Sequence, residues 1–184
     1  DYISPDDVVL DFGCGGGYLL KNLDCKQRLG LEINPSAAAT AKKNGVEIYG
    51  SVEDIPNDSI DVIISNNALE HALRPLDELK GLKGKLKVGG KIIFVVPCEN
   101  ISMRYKPNDI NHHLYSWSPM AIGNLFTEAG YSLIESKAYI HKWPGRAKLY
   151  RRIGGRWLFE LACRIYGRFS RTWFQVRAVG QRDA

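Results

Sequence analysis

Val8-Val9-Leu10-Asp11-Phe12-Gly13-Cys14-Gly15-Gly16-Gly17 is an apolar run that ends in a carboxylate and a glycine-rich turn. Val8 to Leu10 read as a buried strand, and the glycines let the backbone turn sharply into a helix expected to start near Tyr18. Such a turn offers bare backbone to a nucleotide-like ligand. The glycines are Gly13, Gly15 and Gly17, and Tyr18 stands where the dinucleotide fingerprint needs its third glycine. Asp11 suits a ligand that carries positive charge and donors better than it suits a pyrophosphate. Both departures count against a nicotinamide-dependent reductase.

Downstream, Gln27 to Ile33 reads as a second strand with Glu32 at its carboxyl end. Asn34 is a natural N-cap and Pro35 a natural first-turn residue. Ala37 to Lys43 favour helix, and Asn44-Gly45 can close it in a left-handed cap. Val46 to Tyr49 is a third strand, and after the polar segment 51–59 the β-branched run Ile60 to Ser65 is a fourth. Leu76, Leu79, Leu82 and Leu86 recur at helical spacing, predicting a helix over Pro75 to Leu86. Gly89-Gly90 then turns the chain into a fifth strand, Lys91 to Val96, which Pro97 ends. This alternation calls for right-handed βαβ units, a parallel sheet covered on both faces, and ligands beyond the strands' carboxyl ends.

Residues 98–117 form a long polar loop carrying Asp109, Asn111, His112, His113 and Tyr115, of a length that is often functional. Ser118-Pro119 caps a helix with a buried stripe of Ile122, Leu125, Phe126 and Ala129. Gly130 stops it, and Tyr131 to Ile140 is a sixth strand. Trp173 to Val179 is the last. Between these two lies a helical insertion, residues 143–172, broken at Pro144-Gly145 and Gly154-Gly155, with a helix over Arg156 to Phe169.

At 184 residues and 45% hydrophobic content, the chain fits one domain, 1–184, with a real core. No apolar run approaches a membrane span and no signal-peptide pattern is present. Cys14, Cys25, Cys98 and Cys163 are widely spaced, suggesting neither zinc nor disulfides, and a cytoplasmic setting is expected. Charge is unevenly placed. Residues 1–141 carry 14 Lys and Arg against 18 Asp and Glu, whereas residues 142–184 carry 11 against 2.

Together these residues resemble a class I S-adenosylmethionine-dependent methyltransferase, most closely the group that includes the quinone-biosynthesis methyltransferases (methyltransferase type 11 like). The likeness covers most of residues 6 to 140. Val9 to Gly17 resembles the first motif, with Glu32 as its acidic partner. Asn67-Ala68-Leu69-Glu70-His71 resembles the L-E-H signature, and Leu86-Lys87-Val88-Gly89-Gly90 resembles L-K-P-G-G with Val88 in place of proline. The resemblance implies a Rossmann-like α/β fold: a seven-stranded, mainly parallel sheet with an antiparallel last strand and helices on both faces. It implies S-adenosyl-L-methionine as cofactor, with Asp11, Gly13, Cys14, Gly15 and Gly17 around its methionine portion and Glu32 on its ribose hydroxyls. Ser51, Val52 and Glu53 would lie beside the adenine, Asn66 near the sulfonium, and Ile33 is a further cofactor-binding residue. Many relatives place Asp where Ser51 stands, so Glu53 or Asp54 is an alternative adenine contact. Relatives also have a helix before the first strand, so either a preceding segment or the insertion closes the cofactor site.

Methyl transfer from a sulfonium is an in-line displacement, for which the protein aligns the partners in a water-poor site. A hydroxyl acceptor would profit from a general base. His113, His112 and Glu70 are the expected catalytic residues, the histidines ranked first because their loop follows the fifth strand. His71 is a fourth candidate base, with packing at the start of a helix as its favoured reading. Glu70, His71 and Glu99 could in principle converge as metal ligands; Glu70 and His71, being adjacent, should point apart, and no metal is expected.

Trp157, Leu158, Leu161, Ile165 and Phe169 form an apolar stripe, with Arg156, Arg164, Arg168 and Arg171 leaving the helix a cationic side. Either the stripe caps the sheet, or the helix meets an anionic membrane surface or a lipid-phosphate or nucleotide-bearing acceptor. The expected activity is O-methylation of a small-molecule, glycan or lipid-linked acceptor, in the cytoplasm or peripherally at the inner face of the membrane. The rivals are an RNA methyltransferase, for which the arginines would supply phosphate contacts, and a non-catalytic cofactor-binding protein whose basic tail is an interaction module. Ser65-Asn66-Asn67-Ala68 lacks the N-P-P-Y type motif of nucleic-acid amino-methyltransferases, which counts against base methylation, and a nucleic-acid partner is not expected.

Overall fold

The computed structural model describes residues 2–139, 144–145, 147–169 and 173–184. The strands are β1 Val8–Phe12, β2 Gln27–Leu31, β3 Glu47–Tyr49, β4 Ile60–Asn66, β5 Leu86–Glu99, β6 Ser132–Tyr139 and β7 Trp173–Gln181. They form one sheet in the order β3-β2-β1-β4-β5-β7-β6. The first five are parallel, and β7 runs antiparallel to both its neighbours, so β6 points the same way as β5.

The order puts β1 and β4 at the centre, where their sequences are almost wholly apolar because both faces are covered. Period-2 alternation divides them between two cores. Leu10, Phe12 and Ile63 face the cluster that contains Leu79 and Leu82 of α2 (Pro75–Lys85) and Ile122 and Phe126 of α3 (Pro119–Glu128). Val9, Val62 and Ile64 face the smaller cluster with Leu20 and with Ala41 of α1 (Pro35–Lys43). Cap chemistry sets the helix ends as expected. Asn34 accepts the N–H groups of Ser36 and Ala37, Gly45 closes α1 at φ +81°, and Ser118 accepts the N–H of Ala121.

Several boundaries differ from expectation. The helix foreseen near Tyr18 is only a 3-10 turn over Leu20–Asn22. β2 ends at Leu31, leaving Ile33 86% exposed beyond the sheet. Gly89-Gly90 does not precede β5 but lies inside it, at an irregularity between the pairs Ile60–Leu86 and Val62–Lys91. The strand survives there because Gly89 donates to the carbonyl of Arg182 and Gly90 accepts the N–H of Arg182. Pro97 does not end β5 either. Pairing with β4 stops at Val95, so from Pro97 onward the strand has β7 alone beside it, an edge position that tolerates the missing N–H.

After β6 comes α4 (Ala147–Phe169), which Gly154 and Gly155 break into two helical pieces with non-helical backbone between them. Its second piece is turned opposite to the capping expectation. Cys163 and Gly167 are the buried residues, while Trp157, Leu161, Ile165 and Phe169 are exposed. Ile140, Trp143 and Arg171, which entered the expected boundaries and cationic side, lie outside the described residues. Among the described residues no helix is long and apolar enough to cross a membrane.

Candidate functional site

The site starts where β1 runs out. Gly13, Gly15 and Gly17 adopt φ of +73°, +53° and +72°, so three left-handed residues within five turn the chain and leave its N–H groups pointing across the strand ends. Gly13 and Cys14 both donate to the carbonyl of Leu31, which binds the turn to β2. A Cβ on Gly13 would lie 2.4 Å from that of Ala68, so the segment after β4 rests directly on the turn.

Glu32 completes this corner. Its Oε2 accepts the N–H of Gly15 at 2.8 Å and its Oε1 accepts that of Asn34 at 2.7 Å. Behind it, Asp11 is buried, and burial first, then the charge of Glu32, pushes its carboxyl up to about 7. Cys14 turns its side chain into the smaller core, next to Gly30. Burial and the charges of Asp11 and Glu32 push its thiol up to about 12, so Cys14 is not a nucleophile.

A cleft of about 550 Å³ opens in front of the turn. Phe12, Gly13, Leu31, Glu32 and Ile33 line it at the first two strand ends, and Gly50, Ser51, Val52 and Glu53 line it after β3. Asn67, Ala68, His71, Ala72 and Glu78 close it on the side of β4 and α2. The carboxyl of Glu78 is raised by burial and by the charges of Glu53 and Asp77, so the lining is acidic as well as apolar. Cationic and donor-rich ligands fit such a lining.

Of the residues expected at a cofactor, Gly13, Glu32, Ile33, Ser51, Val52 and Glu53 line the cleft, while Asp11, Cys14, Gly15 and Gly17 form the framework behind it. Asn66 does not line it. Asn67 does instead, because its own left-handed backbone, φ +56°, swings it inward, where its side chain accepts a hydrogen bond from Gln175. Phe12, Leu31, Gly50, Ala68, His71, Ala72 and Glu78 were not foreseen as lining residues. Phe12 and Leu31 end parallel strands, a position that could have marked them; Glu78 carries no such signal.

At the far end of the cleft stands a second cluster. Glu70 sits in a 3-10 turn over Leu69–His71, fully buried, and neither carboxylate oxygen has a hydrogen-bond partner among the described residues. Burial raises its carboxyl above the ordinary range, against the opposing pull of His71 and His113. His113 bonds Glu99 Oε1 through Nδ1 at 2.8 Å and holds Nε2 3.9 Å from Glu70 Oε1. Its loop is fastened there by Leu114 N–H to the carbonyl of Glu70, Tyr115 Oη to the carbonyl of Leu73, and Trp117 N–H to the carbonyl of Pro97.

Three expectations are revised here. His112 is exposed, at φ +46°, whereas His113 is half-buried against Glu99 and Glu70. His71, read as a packing residue, is exposed and lines the cleft, its ring edge-on to that of His113 at 5.3 Å. Adjacency does not separate Glu70 from His71 either. Together with His113 they offer ligand atoms all within 4.8 Å of one another, a donor set compatible with a divalent cation that differs from the Glu70, His71 and Glu99 set weighed on sequence.

Comparison with known proteins adds lineage to this geometry. The family model described as a methyltransferase domain matches residues 1–136. An uncharacterized methyltransferase of Schizosaccharomyces pombe is 31% identical over 109 residues, covering 52% of this chain and 41% of that protein. A ribosomal protein L11 methyltransferase of Paraburkholderia phytofirmans is 32% identical over 98 residues, covering 49% of this chain and 32% of its own. The chain thus spans less than half the length of these curated relatives. Among solved structures, geranyl diphosphate C-methyltransferase of Streptomyces coelicolor, in complex with Mg2+, geranyl diphosphate and S-adenosyl-L-homocysteine, shares the fold. Its TM-score is 0.65 at 16% identity, covering 98% of this chain and 72% of that one.

Proposed function

This chain belongs to the class I S-adenosylmethionine-dependent methyltransferase family, whose cofactor is S-adenosylmethionine, and from that premise we propose that it methylates a hydroxyl oxygen of a small-molecule, glycan or lipid-linked acceptor. The cofactor's demands fit the residues present. Glu32 offers second lone pairs to the two ribose hydroxyls while both its oxygens stay tied to backbone. Ile33 and Val52 offer apolar surface to the adenine, and Ser51 and Glu53 offer polar groups to its edge. Glu32, Glu53 and Glu78, with Asp11 behind, favour a ligand that carries an ammonium and a sulfonium. Bound there, S-adenosylmethionine supplies an electrophilic methyl group.

The observation that carries the choice of oxygen is the hydrogen bond from His113 Nδ1 to Glu99, 2.8 Å long. A proton held at Nδ1 by a carboxylate leaves Nε2 as the basic nitrogen, the arrangement that suits removal of a hydroxyl proton. Nε2 is also 3.9 Å from Glu70 Oε1, and that carboxyl, being fully buried, backs the ring rather than reaching the acceptor. Glu70 holds the ring from behind, and His113 takes the hydroxyl proton as the oxygen bonds the methyl group and the methyl–sulfur bond breaks. Sulfonium chemistry needs no covalent nucleophile, in keeping with the inert thiol of Cys14.

The test is methyl transfer from labelled S-adenosylmethionine to a panel of hydroxyl, amine and carbon acceptors. The reading expects product on hydroxyls alone, with His113→Ala cutting turnover about 100-fold or more and cofactor affinity unchanged. Transfer to amine or carbon acceptors at the same rate in His113→Ala would overturn it.

A further inference from the structure

Sheet direction places two exposed segments at one rim. Because β6 and β5 point the same way, the loop after β5 and helix α4 after β6 both leave the carboxyl edge of the sheet, the edge on which the cleft opens. In α4, Trp157 is 73% exposed, Ile165 51% and Phe169 78%, with Leu161 between them on the same arc, opposite the buried Cys163 and Gly167. Arg164 borders that arc on the Trp157 side and Arg168 falls within it, both exposed, and Lys148, Arg151 and Arg152 extend the positive charge along the first piece of the helix. In the loop, Ile101, Tyr105 and Ile110 are almost fully exposed beside Arg104 and Lys106.

Scattered exposed apolar residues need no explanation, but a row of them on one helix arc with a cationic border does. We propose that this rim docks on an anionic lipid surface, with Trp157, Leu161, Ile165 and Phe169 seated at the headgroup boundary and the arginines on lipid phosphates. The charge is complementary: α4 carries Lys148, Arg151, Arg152, Arg156, Arg164 and Arg168 against Glu160 alone, while residues 1–141 are net acidic. Aliphatic side chains favour lipid over nucleic acid, since Leu161 and Ile165 have nothing to bury against a phosphate backbone and cannot stack on bases. The break at Gly154-Gly155 lets the two pieces of α4 settle at different angles on the surface. Docking in this pose turns the acceptor side of the cleft toward the bilayer. The inference is independent of which atom is methylated.

The experiment is co-sedimentation of the full chain with vesicles of phosphatidylcholine alone and of phosphatidylcholine mixed with phosphatidylglycerol. The expected result is preferential partition onto the mixed vesicles that falls with added salt. Arg164→Gln with Arg168→Gln should weaken it on the order of tenfold. Trp157→Ser with Ile165→Ser should bring it to the level of the neutral vesicles, with cofactor affinity intact as the check on folding. Equal partition onto both vesicle types, or wild-type partition by either double variant, would overturn the proposal. So would lipid-free dimerisation abolished by Trp157→Ser with Ile165→Ser, which would assign the arc to a second copy, or retention on RNA with no vesicle binding.

Discussion

The carboxylate of Glu32 accepts the backbone N–H of Gly15 at 2.8 Å, joining the end of β2 to the turn after β1. The acidic residue and the glycines, separate in sequence, are one rigid corner. Its other oxygen holds Asn34, whose own side chain caps α1, so the corner is continuous with a helix N-terminus. A ligand bound by Glu32 is thereby held in register with the backbone of the turn.

Substitutions in that turn should separate conformational cost from steric cost. Gly15→Ala meets no atom within 4 Å and costs only the left-handed backbone, about 1–2 kcal/mol. Gly17→Ala pays the same and also drives a Cβ to 2.9 Å from Val46 and 3.1 Å from Ala41, for a total of about 2–4 kcal/mol. Urea midpoints of the two variants should fall in that order.

Asp11 links stability and binding to pH. Its carboxyl is raised from 3.8 to about 7, so the protonated form favours the fold. That contribution is fully present below pH 3.8 and is lost as pH rises through about 7, a change of a few kcal/mol at most. Asp11→Asn should therefore gain stability over wild type between these limits. A cationic cofactor favours the ionised form, so its binding should release a proton below pH 7. Calorimetric titrations in buffers of different ionisation enthalpy measure that proton.

Glu70 should trade stability for activity. Its buried carboxyl is raised, so its favourable contribution to folding is present below the ordinary Glu value of 4.5 and lost as pH rises through the folded value. Glu70→Gln should be about 1–3 kcal/mol more stable than wild type at alkaline pH, with the difference vanishing in acid, while turnover drops. Thermal melts across pH, paired with rates, test both halves.

His112 and His113 are neighbours with opposite expectations. His113→Ala removes the group bonded to Glu99 and should lower kcat about 100-fold or more. His112→Ala removes an exposed ring and should leave kcat within about twofold. Steady-state rates at saturating cofactor distinguish them.

Local chemistry made much of this legible in the sequence. Asn34, Pro35 and Gly45 occupy the cap positions their side chains and backbones favour, and alternation in Val9-Leu10 and Ile63-Ile64 maps onto the two cores. Pro97 and Gly89-Gly90 misled because their meaning depends on which neighbour lies beside the strand, and β7 is supplied by distant residues. Asn66 gives way to Asn67, and His71 lines the cleft, because a left-handed backbone at Asn67 and a 3-10 turn over Leu69–His71, respectively, redirect side chains that a helical or extended reading aims elsewhere. The exposed arc of α4 was hidden for another reason. Periodicity shows that a helix is two-faced but not which face turns inward, and here the inward residues are Cys163 and Gly167.

The central claim is that the Glu32 corner holds the cofactor, and calorimetric titration of S-adenosylhomocysteine into wild type and Glu32→Ala tests it most directly. Two charge-assisted hydrogen bonds to ribose predict binding by wild type and a loss of about 100-fold or more in the variant, with the variant still folded. Equal affinity in the two proteins, or no binding by folded wild type, would contradict it.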